Sequence, residues 1–244
     1  MKLVQANIYG GRLENPLMFF FSDQQPDIAC FQEAISINGN GAIFKSIEGL
    51  QACWQKPTYL FHSAMFSFKF MTKEAHFGNA IISTLPFEKQ ETIFTNKAHK
   101  SGFDFDIDDY NVRNLQHVQV SLNGQSLHVL NHHGHHIPEH KNGDAGTLRQ
   151  MKQITEYIKR LSGPIILTGD FNLTPDSKSL EQINNHLENL SIKYELRTTR
   201  TQLTRKIEVC DYIFVSKEIE VKSFTASNEL VSDHKALVLE FDIN

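Results

Sequence analysis

Short apolar runs of strand length recur along the chain and predict a protein rich in β-structure. Two of them flank Asn123-Gly124, whose residues both tolerate the positive φ of a two-residue hairpin turn. The runs are Leu3 to Ile8, Ile28 to Gln32, Gly78 to Ser83, Val112 to Leu122, Gln125 to Asn131, Ile165 to Thr168, Ile207 to Val215, Ile219 to Phe224 and Ala236 to Phe241. Because long helical patterns interrupt them only a few times, we expect sheets packed on each other with helices outside.

Three stretches have apolar residues at helical spacing. The first lies around Asn15 to Gln24, stops before Pro26 and contains Met18-Phe19-Phe20-Phe21, which we assign to the core. The second has Asp144 as a candidate N-cap and ends at Gly163-Pro164. The apolar faces of the second and third are Leu148, Met151, Ile154, Ile158 and Leu161, and then Leu180, Ile183, Leu187 and Leu190.

Composition is that of an ordinary globular protein. The 244 residues are 40% hydrophobic, which is enough to bury a core and excludes a disordered or fibrous chain. No repeat, low-complexity tract or linker divides the chain, and large sandwiches reach this length as one domain. The 28 acidic and 24 basic residues give a net charge of −4, so a site for a polyanion has to be local.

Compartment and redox state follow from what the sequence lacks. No stretch approaches the roughly 18 apolar residues of a membrane span, and the N-terminus has no apolar core of a secretory signal. Three scattered cysteines, Cys30, Cys53 and Cys210, form no pair motif. We expect a cytoplasmic, disulfide-free protein, although a secreted chain trimmed of its signal has the same sequence pattern.

Polar residues able to bind metal or move a proton lie where the predicted strands end. They are Asn7, Gln32-Glu33, Asn131-His132-His133, Asp170 and Asn172 of Gly169-Asp170-Phe171-Asn172, Asp211, and Ser232-Asp233-His234. Asp211 interrupts an apolar run, where a carboxylate is costly unless it is paired, hydrogen-bonded or metal-bound. A structural partner for a buried histidine or arginine explains Asp211 equally well. As a set, these oxygen-rich groups suit Mg²⁺ or Mn²⁺ better than zinc, and a hard cation beside a His/Asp pair suits phosphoester hydrolysis.

Seven sequence blocks, in this order, resemble the endonuclease/exonuclease/phosphatase (DNase I-like) superfamily: LVQANI, PDIACFQEA, GNAIISTLPF, LHVLNHH, PIILTGDFNLTPDS, CDYIFVS and SDHKAL. This superfamily holds nucleases, sphingomyelinases, deadenylases and inositol-polyphosphate phosphatases. The resemblance implies one domain over residues 1–244, of α/β (α+β) class. It further implies a four-layer α-β-β-α sandwich, with two mixed or antiparallel sheets packed between outer helices.

The resemblance also implies roles for the polar residues. Glu33 would be the principal metal ligand, with Asn7 beside it, and Asp233 would bind metal or orient the histidine. Asp170 would orient or deprotonate the attacking water. Asn172 would donate a hydrogen bond to a phosphate oxygen.

Two histidines complete the implied machinery. Asp211 would fix the tautomer of His234, which would act as general base or as a donor in the transition state. Family mechanisms divide between this histidine and Asp170 as the base, and the sequence leaves that choice open. His133 would donate to the phosphate or the leaving group, although its neighbour His132 is a second candidate for the same position.

Other features carry two interpretations each. Arg113 is a candidate phosphate contact or a surface ion pair, and Asn79 is a candidate substrate contact or a turn residue. The histidines from His128 to His140 predict either a second metal or phosphate-contact loop or a solvated loop beside the polar site. We favour a loop at the rim of the active site that could bind adventitious transition metal. The alternating acids of Phe103 to Tyr110 predict an edge or loop that would repel long polyanions from a cleft. A basic segment is either a loop that contacts the phosphate or a solvent-exposed loop. Its residues are Arg197, Arg200, Arg205 and Lys206.

Together these observations predict a Mg²⁺- or Mn²⁺-dependent phosphoesterase that uses in-line attack by water. A phosphodiesterase of nuclease type, with DNA or RNA as the phosphate-ester substrate, is the leading expectation. The alternatives are a phosphatase or phospholipid (sphingomyelinase-like) diesterase, and a catalytically silent binding module with the same fold. The sequence leaves the oligomeric state open, with a monomer as the simplest expectation.

Overall fold

The computed structural model describes residues 1–37 and 46–244, and these form twelve strands and five α-helices. A short 3-10 helix, Tyr9–Gly11, follows the first strand. The strands are β1 Lys2–Asn7, β2 Ile28–Ile37, β3 Tyr59–Phe70, β4 Lys73–Ser83, β5 Phe87–Asn96, β6 Arg113–Leu122, β7 Gln125–His133, β8 Ile165–Asp170, β9 Glu188–Asn189, β10 Asp211–Val215, β11 Ile219–Ala226 and β12 Leu237–Ile243. The helices are α1 Glu14–Gln24, α2 Ile47–Gln51, α3 Ala145–Ile158, α4 Lys178–Asn184 and α5 Leu190–Lys193.

The strands form two mixed sheets of six strands each. The first has the order β11-β12-β1-β2-β4-β3 and the second the order β5-β6-β7-β8-β10-β9. In each sheet one central pair is parallel, β1 with β2 and β7 with β8, and the other neighbours are antiparallel. A parallel pair brings two carboxyl ends of strands to the same sheet edge, which is where the polar residues of the sequence motifs lie.

Three apolar clusters hold four layers together. Between the sheets, side chains of both sheets such as Ile28 and Leu127 form one buried cluster. Phe20 and Phe21 of α1 pack on the first sheet, and Met151 of α3 packs on the second. This confirms the predicted α-β-β-α sandwich. Within the described ranges, no helix is long and apolar enough to cross a bilayer.

Local signals located several elements correctly. The predicted helix around Asn15 to Gln24 is α1, and the Asn123-Gly124 turn joins β6 to β7 with both residues at positive φ. Asp144 caps α3, since its side chain accepts from the Thr147 amide at 2.8 Å. All three cysteines are free thiols.

The predicted helix that carries Leu180 and Leu190 is wrong in extent. Helix α4 ends at Asn184, and the chain then forms β9, which pairs with β10 before α5 begins. The Asn189 side chain accepts from the Ile192 amide and so starts the new helix. The apolar residues of this stretch are buried as expected, because two short elements bury them as well as one helix does.

The assignment of Phe19 to the core is also wrong. Phe19 exposes 77% of its surface, whereas its neighbours Phe20 and Phe21 are buried against the first sheet. Successive helical residues lie about 100° apart. A run of three cannot therefore lie wholly on the single face of α1 that meets the sheet.

Candidate active site

The ends of β1, β7 and β8, the start of β10 and a bulge within β2 converge on one cleft between the two sheets. The expectation that Gln32-Glu33 ends the second strand is wrong, because β2 continues past the bulge to Ile37. Parallel pairing sets Asn7 beside Gln32 in the first sheet and His133 beside Asp170 in the second. Asp211 lies opposite Asp170 in the antiparallel β8–β10 pair. The cleft has a volume of about 740 Å³, and the predicted site residues that line it are Glu33, Arg113, His133, Asp170, Asn172, Asp233 and His234.

Two of these residues have left-handed backbone conformations. Glu33 has φ 56° and lies where the register of β2 with β4 shifts between Phe31 and Ala34. Asn172 has φ 55° just beyond the end of β8. A bulge re-aims the side chain that it carries. For a residue other than glycine the strain costs about 1–3 kcal/mol, and such strain concentrates at functional sites.

Asp170 is the buried centre of the polar network. Its Oδ2 accepts from Asn7 Nδ2 at 3.1 Å and its Oδ1 accepts from the Asn172 amide at 2.9 Å. Burial alone would raise the pKa of this carboxyl, but the charges of His234 and Arg200 hold the pKa well below its usual range. Asp170 is therefore an ionised carboxylate within the cleft wall.

A second carboxylate fixes His234. Asp211 is fully buried, and its Oδ2 accepts from His234 Nδ1 at 2.8 Å and from the Thr199 hydroxyl at 2.6 Å. Its Oδ1 accepts from Gln5 Nε2 at 3.2 Å. Since Nδ1 is engaged in this way, His234 presents Nε2 to the cleft, 3.7 Å from Asp170 Oδ2. Burial opposes protonation, but Asp211 and Asp170 raise the pKa of His234 to about 9.

Arg200 lies directly against His234. One of its terminal nitrogens contacts His234 Nε2, and its Nε has no hydrogen-bond partner among the described residues. Asp170 and Asp211 raise the pKa of this guanidinium against the opposing effect of burial. Arg200 and His234 both line the cleft, so their positive charges favour an anion in it.

The structure separates the two adjacent histidines of β7. His133 lines the cleft, with Nε2 4.0 Å from Asp170 Oδ2. His132 faces the other side of the strand, where its Nδ1 lies 3.0 Å from the Asn114 carbonyl oxygen and its ring packs on Phe171. Burial lowers the pKa of both imidazoles, to about 4 for His132.

Asn172 is held by a lysine that sequence reasoning did not identify. Lys141 is buried, and its Nζ donates to Asn172 Oδ1 at 2.8 Å. The side-chain Nδ2 of Asn172 donates in turn to the Gly134 carbonyl at 3.3 Å. Burial lowers the pKa of Lys141 to about 8. Gly134 has no room for a side chain, since a Cβ there would lie 2.1 Å from the Phe171 carbonyl oxygen.

Arg113 and Asn79, the two predicted substrate contacts, have different environments. Arg113 is buried in the cleft wall, where Nε donates to the Gly134 carbonyl at 2.7 Å and a terminal nitrogen donates to the Tyr110 carbonyl at 2.6 Å. Burial lowers its pKa to about 10. Asn79 instead is fully buried between the sheets, and its amide donates to Asn114 Oδ1 at 2.9 Å. The expectation that Asn79 contacts substrate is therefore corrected to an inter-sheet contact.

Glu33 has the chemistry of a ligand for a hard cation. Its Oε1 accepts from Asn7 Nδ2 at 3.1 Å, so one amide bridges the carboxylates of Glu33 and Asp170. Burial raises the pKa of Glu33, and the charges of Asp170 and Asp233 add to that rise. A divalent cation would relieve this repulsion, and carboxylate and amide oxygens are the ligands that Mg²⁺ and Mn²⁺ prefer. The residues present thus fit such an ion.

A different group of possible ligands, Asp170, Asp211 and His234, has its ligand atoms within 4.8 Å of one another. This group is better described as a hydrogen-bonded relay. Both Asp211 oxygens already accept from protein donors, and His234 Nδ1 is one of those donors. Metal binding there would break the contacts that orient His234.

The rim of the cleft is partly as expected. His136 of the histidine-rich stretch lines it, whereas His128 lies on β7 and contacts His117 at 3.0 Å. In the basic segment, Arg200 and Lys206 line the cleft. The acidic segment reaches the cleft through Phe105 and Tyr110, and two of its acids are paired with lysines: Lys97–Asp109 at 2.6 Å and Lys100–Asp108 at 3.4 Å.

The four-layer sandwich with a polar cleft at the strand ends is the architecture of DNase I-like proteins. A sequence profile of the endonuclease/exonuclease/phosphatase family matches residues 4–234. The chain therefore belongs to that family.

Solved structures share the fold at low sequence identity. A family protein from Leptotrichia buccalis C-1013-b is 20% identical with a TM-score of 0.72, and the match covers all of both chains. A mannosyl-6-phosphatase of Bacteroides thetaiotaomicron VPI-5482 is 16% identical with a TM-score of 0.71, again over all of both chains. D. rerio TDP2 complexed with single-strand DNA product is 15% identical with a TM-score of 0.69, over 99% of this chain and 98% of that one. No functionally curated protein matches the chain.

Proposed function

We propose that this protein is a divalent-metal-dependent phosphoesterase that hydrolyses phosphate diesters by in-line attack of water. The observation that carries the proposal is the meeting of Glu33, Asp170 and His234 in one cleft of about 740 Å³. A buried carboxylate and histidine such as Asp170 and His234 are costly to keep without a ligand or a reaction to serve. This argues against the alternative of a silent binding module.

Some residues of the site would act on the attacking water, and others would bind the phosphate oxygens. The Asp170 carboxylate accepts a hydrogen bond from the attacking water, holds it in line and takes its proton, because the raised pKa of His234 leaves that ring protonated and able only to donate. The second nitrogen of His234, held in place by Asp211, donates to the phosphoryl oxygens as negative charge develops. His133 and the Asn172 amide are further donors within the same cavity, and Arg200 adds positive charge.

Glu33 would hold the metal, with Asp233 adding oxygen ligands. Asn7, expected beside the metal, instead donates its Nδ2 to Glu33 while its Oδ1 accepts from the Tyr9 amide, so it would position the Glu33 carboxylate. When bound, a Mg²⁺ or Mn²⁺ ion supplies Lewis-acid polarisation of the phosphate and neutralises its charge. The fit rests on the oxygen ligands and on the mutual repulsion of the neighbouring carboxylates of Glu33, Asp170 and Asp233.

Two kinds of ester fit the cleft. A nucleic-acid diester remains the leading substrate, in line with the DNA product bound to the related TDP2 fold. The exposed acids Asp104 and Asp106, on the segment that forms part of the cleft wall, oppose a long polyanion. They favour the second candidate, a small phosphate ester of the kind that a phosphatase hydrolyses.

A substrate panel tests both. We expect purified protein with Mg²⁺ or Mn²⁺ to hydrolyse bis(p-nitrophenyl) phosphate and a short DNA or RNA oligonucleotide faster than sugar monophosphates or sphingomyelin. Excess EDTA should abolish every one of these activities, and added metal should restore them. Turnover that is unchanged in EDTA would reject metal dependence, whereas faster monoester hydrolysis would make the phosphatase the function.

A further inference from the structure

One wall of the cleft consists of aromatic rings that the hydrolytic chemistry does not use. Phe68 and Phe77 come from β3 and β4, and Phe105 and Tyr110 come from the segment between β5 and β6. We call these four residues the aromatic wall. They line the same cavity as the carboxylates and histidines, so a ligand seated on the polar groups has aromatic surface within reach.

The aromatic wall is held in place from behind. The buried ring of Phe66 stacks on Phe77 at a centroid distance of 4.8 Å and on Phe103 at 4.0 Å. Phe103 in turn contacts Tyr110 edge-on at 5.2 Å. Such separations are those of favourable aromatic pairs. The wall is therefore a preformed surface.

Two rings of the wall remain open to solvent. Phe105 and Tyr110 each expose 47% of their surface, and the Tyr110 hydroxyl donates to the Phe105 carbonyl at 3.2 Å. Large apolar groups that stay exposed beside a polar cavity mark a binding surface. A ligand that covered them would gain the free energy of burying them.

The charges in the cleft indicate what accompanies such an apolar group. Arg12, Arg200 and Lys206 line the same cavity, and the Arg12 guanidinium lies over the Tyr9 ring at 4.1 Å from its centroid. A cleft lined by both cations and aromatic rings suits a ligand that joins an anion to an apolar group. A phosphate ester with an apolar substituent has this composition.

We propose that the aromatic wall binds a planar aromatic ring carried by the phosphate-ester substrate, either a nucleobase or a phenol. The half-exposed rings of Phe105 and Tyr110 offer surface to a flat partner, and a cavity of about 740 Å³ that also holds the phosphate suits one ring better than a long acyl chain. Exposed acids on the same segment, Asp104 and Asp106, oppose docking on an anionic bilayer. The inference rests on the proposed function, because the phosphate has to lie on the polar groups.

Binding of stable phosphonates tests the wall without any turnover. Dissociation constants of phenylphosphonate, methylphosphonate and hexylphosphonate are measured by calorimetry with the full chain in Mg²⁺. We expect phenylphosphonate to bind about tenfold more tightly than methylphosphonate, or about 1.4 kcal/mol, with hexylphosphonate close to methylphosphonate. The phosphonate analogue of adenosine monophosphate is then compared with phenylphosphonate. Tighter binding of the adenosine analogue would identify the ring as a nucleobase, and tighter binding of phenylphosphonate would identify it as a phenol.

Variants locate the effect. Phe105→Ala and Tyr110→Ala should each reduce the advantage of phenylphosphonate to below about threefold while methylphosphonate binds as before. Phe19→Ala, which truncates an exposed phenylalanine of α1, is the matched control and should change neither constant. Thermal melting of each variant checks that it is folded, and the wild-type comparison stands without any variant.

The possible failures are distinct. Equal affinity of the wild type for phenyl- and methylphosphonate would overturn the ring subsite, and diester hydrolysis by the same protein would leave the proposed function intact. Hexylphosphonate binding as tightly as phenylphosphonate would overturn it in favour of an acyl subsite. Preserved preference for the phenyl group in a protein that hydrolyses no ester would instead refute the proposed function and leave the ring site standing.

Discussion

We expect Asp170→Asn to lower turnover of a phosphate diester by about a thousandfold or more, equivalent to about 4 kcal/mol of activation free energy. The change removes the buried carboxylate that lies within 4.0 Å of both His133 and His234 in the cleft. In the wild type, Asn7 Nδ2 donates to Asp170 Oδ2. In the variant an amide nitrogen in the place of that oxygen could not accept this hydrogen bond. Steady-state hydrolysis of bis(p-nitrophenyl) phosphate at saturating Mg²⁺ measures the effect.

The control for this variant is Asp176→Asn, the same chemical change at an exposed position on the segment that follows β8. It should retain wild-type turnover. Circular dichroism and thermal melting should show that both variants are folded. A loss below about tenfold in Asp170→Asn would remove Asp170 from the catalytic machinery.

The second large effect is expected for His234→Gln, with turnover reduced by at least about a hundredfold. Glutamine can keep one hydrogen bond to Asp211, but it has no ring nitrogen to face Asp170 and the phosphate together. Single-turnover kinetics separates this loss from weaker substrate binding. The exposed His186 provides the control, and His186→Gln should leave the rate unchanged.

A result in which His234→Gln binds substrate poorly but reacts at the wild-type rate once bound would contradict its catalytic role. It would assign His234 to phosphate binding alone, beside Arg200. The relay through Asp211 would then serve to place a positive charge.

Much of the fold and site follows from local sequence signals. Strand-length apolar runs predict the sheets, and the polar residues at their ends, such as Asn7, His133 and Asp170, lie together because parallel strands end at a common edge. The buried carboxylate in an apolar strand, Asp211, has the histidine partner that its cost requires.

Other parts of the site depend on contacts between distant segments that no local pattern records. Thr199 and Lys141 lie in irregular segments, and only the folded chain brings them to Asp211 and Asn172. Their one available signal is that both lie close in sequence to strand-end motifs. The aromatic wall could not be predicted from the sequence for the same reason. Its residues come from the β3–β4 hairpin and from the segment between β5 and β6, which only the fold brings together.

The errors have physical causes as well. Asn79 precedes an apolar strand run in a block shared with the family, but it points between the sheets and bonds to Asn114. The helix predicted through Leu187 and Leu190 fails because the edge strand β9 competes for the same residues. In both cases the tertiary partner decides the outcome, and that partner lies far away in the sequence.

The central claim is that one cleft holds a divalent cation and the phosphate of an ester side by side. Crystals grown with Mn²⁺ and inorganic phosphate test it most directly, through the anomalous signal of the metal. We predict a Mn²⁺ peak on the Glu33 carboxylate and a phosphate in the same cavity, in contact with His234 and Asn172. A peak on any other group, or phosphate bound outside this cleft, would contradict the account.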